Sequence, residues 1–172
     1  MKYGINGPFE IALDGRLINK TAKVKQEFWK GIEAKEAGLA NAVGCYIFYV
    51  GKKPWYVGLA DRQSFKKECF QPHKINAFNS ALGKQKGKPY LLLLSKRTNE
   101  GRFAKLGVNG HRSTRFLENL LIGIAYSQNP KLENIRGTKF IKELIVPGLL
   151  NTPKRGKVED ESVRFLRESM RA

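Results

Sequence analysis

Residues 44–58 read GCYIFYVGKKPWYVG. Two apolar runs, 44–50 and 54–58, flank the tripeptide Gly51-Lys52-Lys53. This is the pattern of two paired strands joined by a short loop, in which Gly51 suits a positive φ. Each run carries a tyrosine close to a glycine, and Tyr46 and Tyr56 stand ten residues apart. A hairpin that served only a core would favour Val, Ile or Phe at both places. Two phenols on neighbouring strands point to polar work.

Working outward toward the N-terminus, residues 8–13 alternate as a strand, closed by a turn at Asp14-Gly15. Val24, Phe28, Trp29 and Ile32 recur at helical spacing, which predicts a helix over 23–37 stopped by Gly38. Toward the C-terminus, residues 61–82 read as helical in two pieces divided at Pro72. GKQKGK at 83–88 is a basic glycine-rich loop, and PYLLLLS at 89–95 a buried strand. Residues 96–112 are polar and basic and read as a long loop.

A second strong helix is predicted over 113–127, capped by Ser113 or Thr114. Phe116, Leu117, Leu120, Leu121 and Ile124 form its apolar face, with Glu118 off the centre of that face. NPKLEN at 129–134 is a turn. Beyond it come an apolar stretch at 140–150 broken at Pro147-Gly148, a basic loop at 153–157 and an amphipathic helix over 158–171. There is no internal repeat, and the whole of 1–172 reads as one domain.

Charge is the strongest global property. Lys plus Arg number 32 against 15 Asp plus Glu, a net charge of +17 and a pI near 10.0. Such an excess favours a polyanionic partner, most commonly nucleic acid. No run approaches the ~20 apolar residues of a membrane span, and the first residues lack a continuous apolar core of a secretory signal. The expectation is a cytoplasmic protein with no membrane partner. Cys45 and Cys69 form no CxxC pair, and with His73 and His111 the only histidines a structural zinc site is not expected.

Taken in order, Gly44-Cys45-Tyr46, Tyr56-Val57-Gly58, a lysine-rich helix, Glu118 and the Asn134 of NPKLEN resemble the GIY-YIG nuclease superfamily over residues 44–134. The resemblance implies an α+β fold, a small three-stranded antiparallel sheet flanked by helices. Residues 1–43 would then be an N-terminal strand-helix addition and 135–172 a C-terminal extension. It also implies a metal-dependent endonuclease that hydrolyses DNA, double-stranded DNA being the partner, with one Mg2+ (or Mn2+) held by Glu118. Tyr46 would be the general base, its phenol lowered from the ordinary ~10 by a nearby lysine and the metal. Tyr56 would bond the water or the phosphate. Gly44, Gly58 and Asn134 would shape the site.

Where the family carries an arginine, on the helix after the second motif, this chain has KECFQPHK at 67–74. Lys74 is the first candidate for that place and Lys67 the second, with His73 beside them, so the chain resembles a variant subgroup. Lysine supplies the charge without a bidentate phosphate contact. Two alternatives therefore stand beside the nuclease. One is a catalytically inactive nucleic-acid-binding module of the same fold. The other is a basic structural protein of a ribonucleoprotein, which needs none of Tyr46, Tyr56 or Glu118. Lys66, Lys84, Lys86, Lys88, Arg97, Arg102 and Arg112, with the basic loop at 153–157, are the expected phosphate contacts. Such contacts give salt-dependent binding without sequence choice.

Overall fold

The computed structural model describes residues 2–107, 109–134, 138, 139, 141, 143, 144, 146, 147 and 160–169. Most of the apolar stretch 140–150, including Gly148 of its expected break, and all of the basic run 153–157 lie outside the described residues. The chain divides into two compact units, 1–134 and 135–172. In the second unit an α-helix spans Glu161–Ser169, within the predicted 158–171.

The first unit is α+β. Its strands are β1 (Lys2–Glu10), β2 (Leu13–Asp14), β3 (Leu17–Ile18), β4 (Gly44–Val50), β5 (Lys53–Ala60) and β6 (Pro89–Arg97). Its helices are α1 (Ala22–Lys35), α2 (Phe65–Glu68), α3 (Pro72–Lys84) and α4 (Arg112–Gln128). The main sheet is antiparallel, with strand order β1-β6-β4-β5. It has four strands where three were expected. The expected three are β6, β4 and β5, and the fourth is the N-terminal strand laid along β6.

β1 begins six residues earlier than the strand read at 8–13. Gly4, Gly7 and Pro8 obscure it, because such residues are poor in a central strand yet tolerated at an edge. Its register on β6 shifts between Asn6 and Phe9, around Gly7-Pro8. The Asp14-Gly15 turn is the tip of a separate small hairpin, β2–β3.

Alternation along β4 places Tyr46 and Phe48 on one face of the sheet and Cys45 and Ile47 on the other. α1 and α3 cover the first face. Phe48 stacks on Phe78 of α3 at 4.1 Å, and Phe28, Trp29 and Phe70 meet edge to face between α1 and the end of α2. Pro72 is the first residue of α3, so the proline that divides the helical stretch also starts its second piece. α4 packs against β4 and β5.

The inward side of α4 is not the one its apolar residues suggest. Thr114, Ile122, Ala125 and Tyr126 are buried, whereas Phe116, Leu120 and Ile124 are exposed, Phe116 to 72%. Glu118 falls on the inward line, one turn from both Thr114 and Ile122. No helix among the described residues is long and apolar enough to cross a membrane.

Candidate active site

The hairpin sets the two phenols. Tyr46 of β4 lies opposite Gly58 of β5, and Phe48 opposite Tyr56. The Tyr46 ring crosses directly over Gly58. A Cβ at Gly58 would stand 2.1 Å from the Tyr46 Cζ and 2.4 Å from its hydroxyl oxygen, so only glycine admits the ring there. Gly44 is needed for another reason: a Cβ there would fall 1.9 Å from the Leu94 carbonyl oxygen and part β4 from β6. The two glycines of the motif thus serve close packing on either side of the first phenol.

The phenols have different surroundings. Tyr46 is fully buried, and its hydroxyl has no hydrogen-bond partner among the described residues. Burial pushes its pKa well up, and the charges of Cys69, Tyr56, Glu68 and Glu118 push the same way. The expectation that a neighbouring lysine would lower this phenol is therefore reversed. Lys74 is spent on the other tyrosine, and the buried cavity wall favours the neutral form. Tyr56 stacks beside Tyr46 at 6.2 Å and keeps partial exposure.

Lys74 is the lysine that joins this group. It sits in the first turn of α3, donates from Nζ to the Tyr56 hydroxyl oxygen at 2.7 Å, and lies 3.3 Å from Glu68. Lys74 and Glu68 are each 12% exposed, so this pair is set into the protein rather than solvated at its surface. Burial alone would lower the Lys74 pKa. The hydrogen bond and charge of Tyr56, together with Glu68, outweigh it and hold the ammonium form above its ordinary value.

Glu68 was missing from the sequence reading. Its Oε2 accepts from Gln63, at short range, and from Gln71 at 3.3 Å, which leaves Oε1 toward Lys74. A glutamate in a run of lysines reads as a solvated residue. The signal available was its six-residue spacing from Lys74 across the Pro72 break, which lets a short helix face the next one.

Glu118 reaches the group through charge rather than contact. Burial raises its pKa; Lys74 pulls it down, and Asp61 and Glu68 push it up. Its charge in turn raises both Tyr46 and the buried thiol of Cys45. This sets the carboxylate near the start of β4. It makes no hydrogen bond or ion pair among the described residues, not even with Arg115 one turn before it on α4. Arg115 instead donates to Asp61 at 3.0 Å and to the Asn109 carbonyl at 2.5 Å. Asp61, buried at the end of β5, also accepts the His111 amide at 3.3 Å, which ties the loop before α4 to the sheet.

The remaining candidates are dispersed. Lys67 and Lys66 line a groove with Lys25, Gln26 and Trp29 of α1, away from Tyr56, so Lys67 does not take the second place foreseen for it. His73 is exposed on α3, and Arg102 and Arg112 are exposed in or beside the loop before α4. Lys84 pairs with Glu133 at 2.7 Å and Lys88 with Glu10 at 3.0 Å. Arg97 pairs with Glu36 at 2.5 Å and lies over Phe103 at 4.0 Å, a structural role rather than a free phosphate contact. Lys86 is exposed.

Asn134 braces the site from behind. It accepts the Val57 amide at 2.8 Å and donates to the Val57 carbonyl at 2.6 Å. Asn129 donates to the Pro54 carbonyl at 2.8 Å, and the Glu133 amide to that of Trp55 at 2.8 Å. The segment 129–134 therefore covers the open edge of β5, the strand that carries Tyr56.

As a metal site, the arrangement offers one free carboxylate. No cluster of three or more His, Cys, Asp or Glu suited to a metal ion occurs among the described residues. Asp61 is engaged by Arg115, and Glu68 by Gln63, Gln71 and Lys74. Glu118, unpaired among the described residues and with its pKa raised chiefly by burial, is the residue a cation would relieve. Mg2+ keeps several waters and fits such a sparse oxygen donor set. No protein-family model, curated protein or solved structure matches the chain.

Proposed function

We propose that the chain is a metal-dependent endonuclease of GIY-YIG type that hydrolyses double-stranded DNA. The observation that carries this reading is the Glu68–Lys74–Tyr56 array with the unpaired, half-buried Glu118 within reach of the Lys74 charge. Perturbed ionisable groups gathered around a partly open phenol are what phosphoryl chemistry requires, and the +17 charge suits the substrate.

Tyr56, which keeps exposure, is better placed than the buried Tyr46 to orient the attacking water. Lys74 occupies one lone pair of its oxygen and leaves the O–H free to turn toward the substrate. As the water oxygen bonds to phosphorus, the bond to the leaving sugar oxygen breaks; the water proton passes to the Tyr56 oxygen while Tyr56 gives its own proton to solvent, and the leaving oxygen takes a proton from solvent. Lys74 has a further N–H to neutralise the charge gathering on the phosphate. Mg2+ on Glu118 would supply charge stabilisation at the phosphate and the leaving oxygen. Tyr46 backs Tyr56 by stacking.

The test is incubation of plasmid DNA with Mg2+ or Mn2+. Metal-dependent cutting by the wild type, lost in Glu118→Ala and Tyr56→Phe, is expected. Cutting that survives Glu118→Ala would sink the site. A second reading, an inactive binding module of the same fold, draws on Tyr46: a buried phenol with a raised pKa is the opposite of an activated base. DNA binding without cutting in any metal would favour it.

A further inference from the structure

The β2–β3 hairpin and the C-terminal turn of α3 enclose a groove of about 550 Å3. Leu13, Leu17 and Leu82 give it an apolar wall, and Arg16, Lys84 and Lys86 line it with positive charge. Leu17 is 55% exposed and Leu13 38%, on a hairpin whose tip is Gly15-Arg16. Lys84 is shared with Glu133, but Arg16 and Lys86 have no acidic partner among the described residues. The hairpin is held in place from below, where the Ile18 amide donates to Asn79 of α3 at 2.8 Å.

A surface that met only phosphates would not need three leucines, and a surface for an apolar peptide would not need three cations. The combination fits an amphiphile with a flat apolar body and an anionic chain, and on a chain of +17 that is a nucleotide within a nucleic acid. The volume lies in the range of a ligand of that size.

The groove and the candidate site lie at the two ends of α3. Lys74 and Lys84 are ten residues apart on α3, about 15 Å along the helix. A nucleic-acid strand running along α3 from a phosphate at Lys74 would reach the groove within a few nucleotides. We propose that this groove holds one unpaired nucleotide of the substrate strand, its base against Leu13, Leu17 and Leu82 and its flanking phosphates on Arg16 and Lys86. The link to Lys74, though not the groove itself, rests on the nuclease reading.

Binding without metal separates the two. Wild-type protein in EDTA is titrated into a fluorescein-labelled oligothymidine strand and a fully paired labelled duplex, with anisotropy read at several salt concentrations. Leu17→Ser is expected to weaken the single strand about tenfold with an unchanged salt slope. Arg16→Ala and Lys86→Ala are each expected to lower that slope by about 0.7. Thermal melts of the three variants, all at exposed positions, check that the fold is kept. Single-strand affinity unmoved by Leu17→Ser would overturn the proposal, as would salt slopes unmoved by the two cation variants. If these effects appear but no metal supports cutting, the groove stands and the nuclease reading falls. Wild type that binds neither oligonucleotide would overturn both.

Discussion

Glu118 is the residue on which structure and function pull against each other. Its pKa is raised, chiefly by burial, so the folded protein holds this proton more tightly than the unfolded chain does. Stability therefore falls as pH rises from the ordinary carboxylate value through the folded one, and the penalty is complete above the folded one. Glu118→Gln should melt at a higher temperature than wild type at pH 7, with the gain vanishing in acid below the unfolded carboxylate range, as calorimetry across pH would record. The same variant should lose metal-dependent cutting, the usual conflict between stability and activity at a working site. Glu68 acts at one remove. Glu68→Gln keeps the shape but removes the charge that holds Lys74 toward Tyr56. The cutting rate should fall about 10-fold to 100-fold. The alkaline limb of its pH profile should move to lower pH, because Lys74 then faces only Tyr56, Cys69 and the more distant Glu118. Equal rates and profiles in the two proteins would remove Glu68 from the site.

At the scale of elements, β5 is held by what lies on both its sides. β4 pairs with it along one edge, and the turn 129–134 closes the other through Asn129, Glu133 and Asn134. Asn134→Ala removes two hydrogen bonds from a buried strand backbone and should cost about 2 kcal/mol in urea unfolding. The asparagine that the resemblance marks is thus a brace for the Tyr56 strand, because both polar atoms of its side-chain amide are engaged by the Val57 backbone. α4 teaches the reverse lesson. Its leucines and Phe116 advertise an apolar face, yet the helix turns Thr114, Glu118, Ile122 and Ala125 inward. Burial there is decided by the fit of small side chains against β4 and β5, where Thr114 accepts the Cys45 thiol at 3.4 Å through its carbonyl. Hydrophobic count alone carries no such information.

For the whole molecule, the hydrophobic core runs from Phe9 to Leu93 and lies entirely inside the first unit. A fragment of residues 1–134 should therefore keep one cooperative thermal transition, read by circular dichroism; a fragment that melts without cooperativity would show that the second unit completes the fold. The sequence by itself determined the hairpin, the first helix to within two residues of its end at Lys35, the helix start at Pro72, the strand at 89–95 and the basic charge. These rest on local rules: alternation, helical spacing, the backbone limits of glycine and proline, and simple addition of charges. Tertiary structure alone decided that β1 joins the sheet, that α4 turns Glu118 inward, that Lys74 rather than Lys67 meets Tyr56, and that Tyr46 is sealed while Tyr56 stays open. Each of those depends on which residues distant in the chain come together, since burial and a partner's charge belong to the packed surroundings and not to the residue.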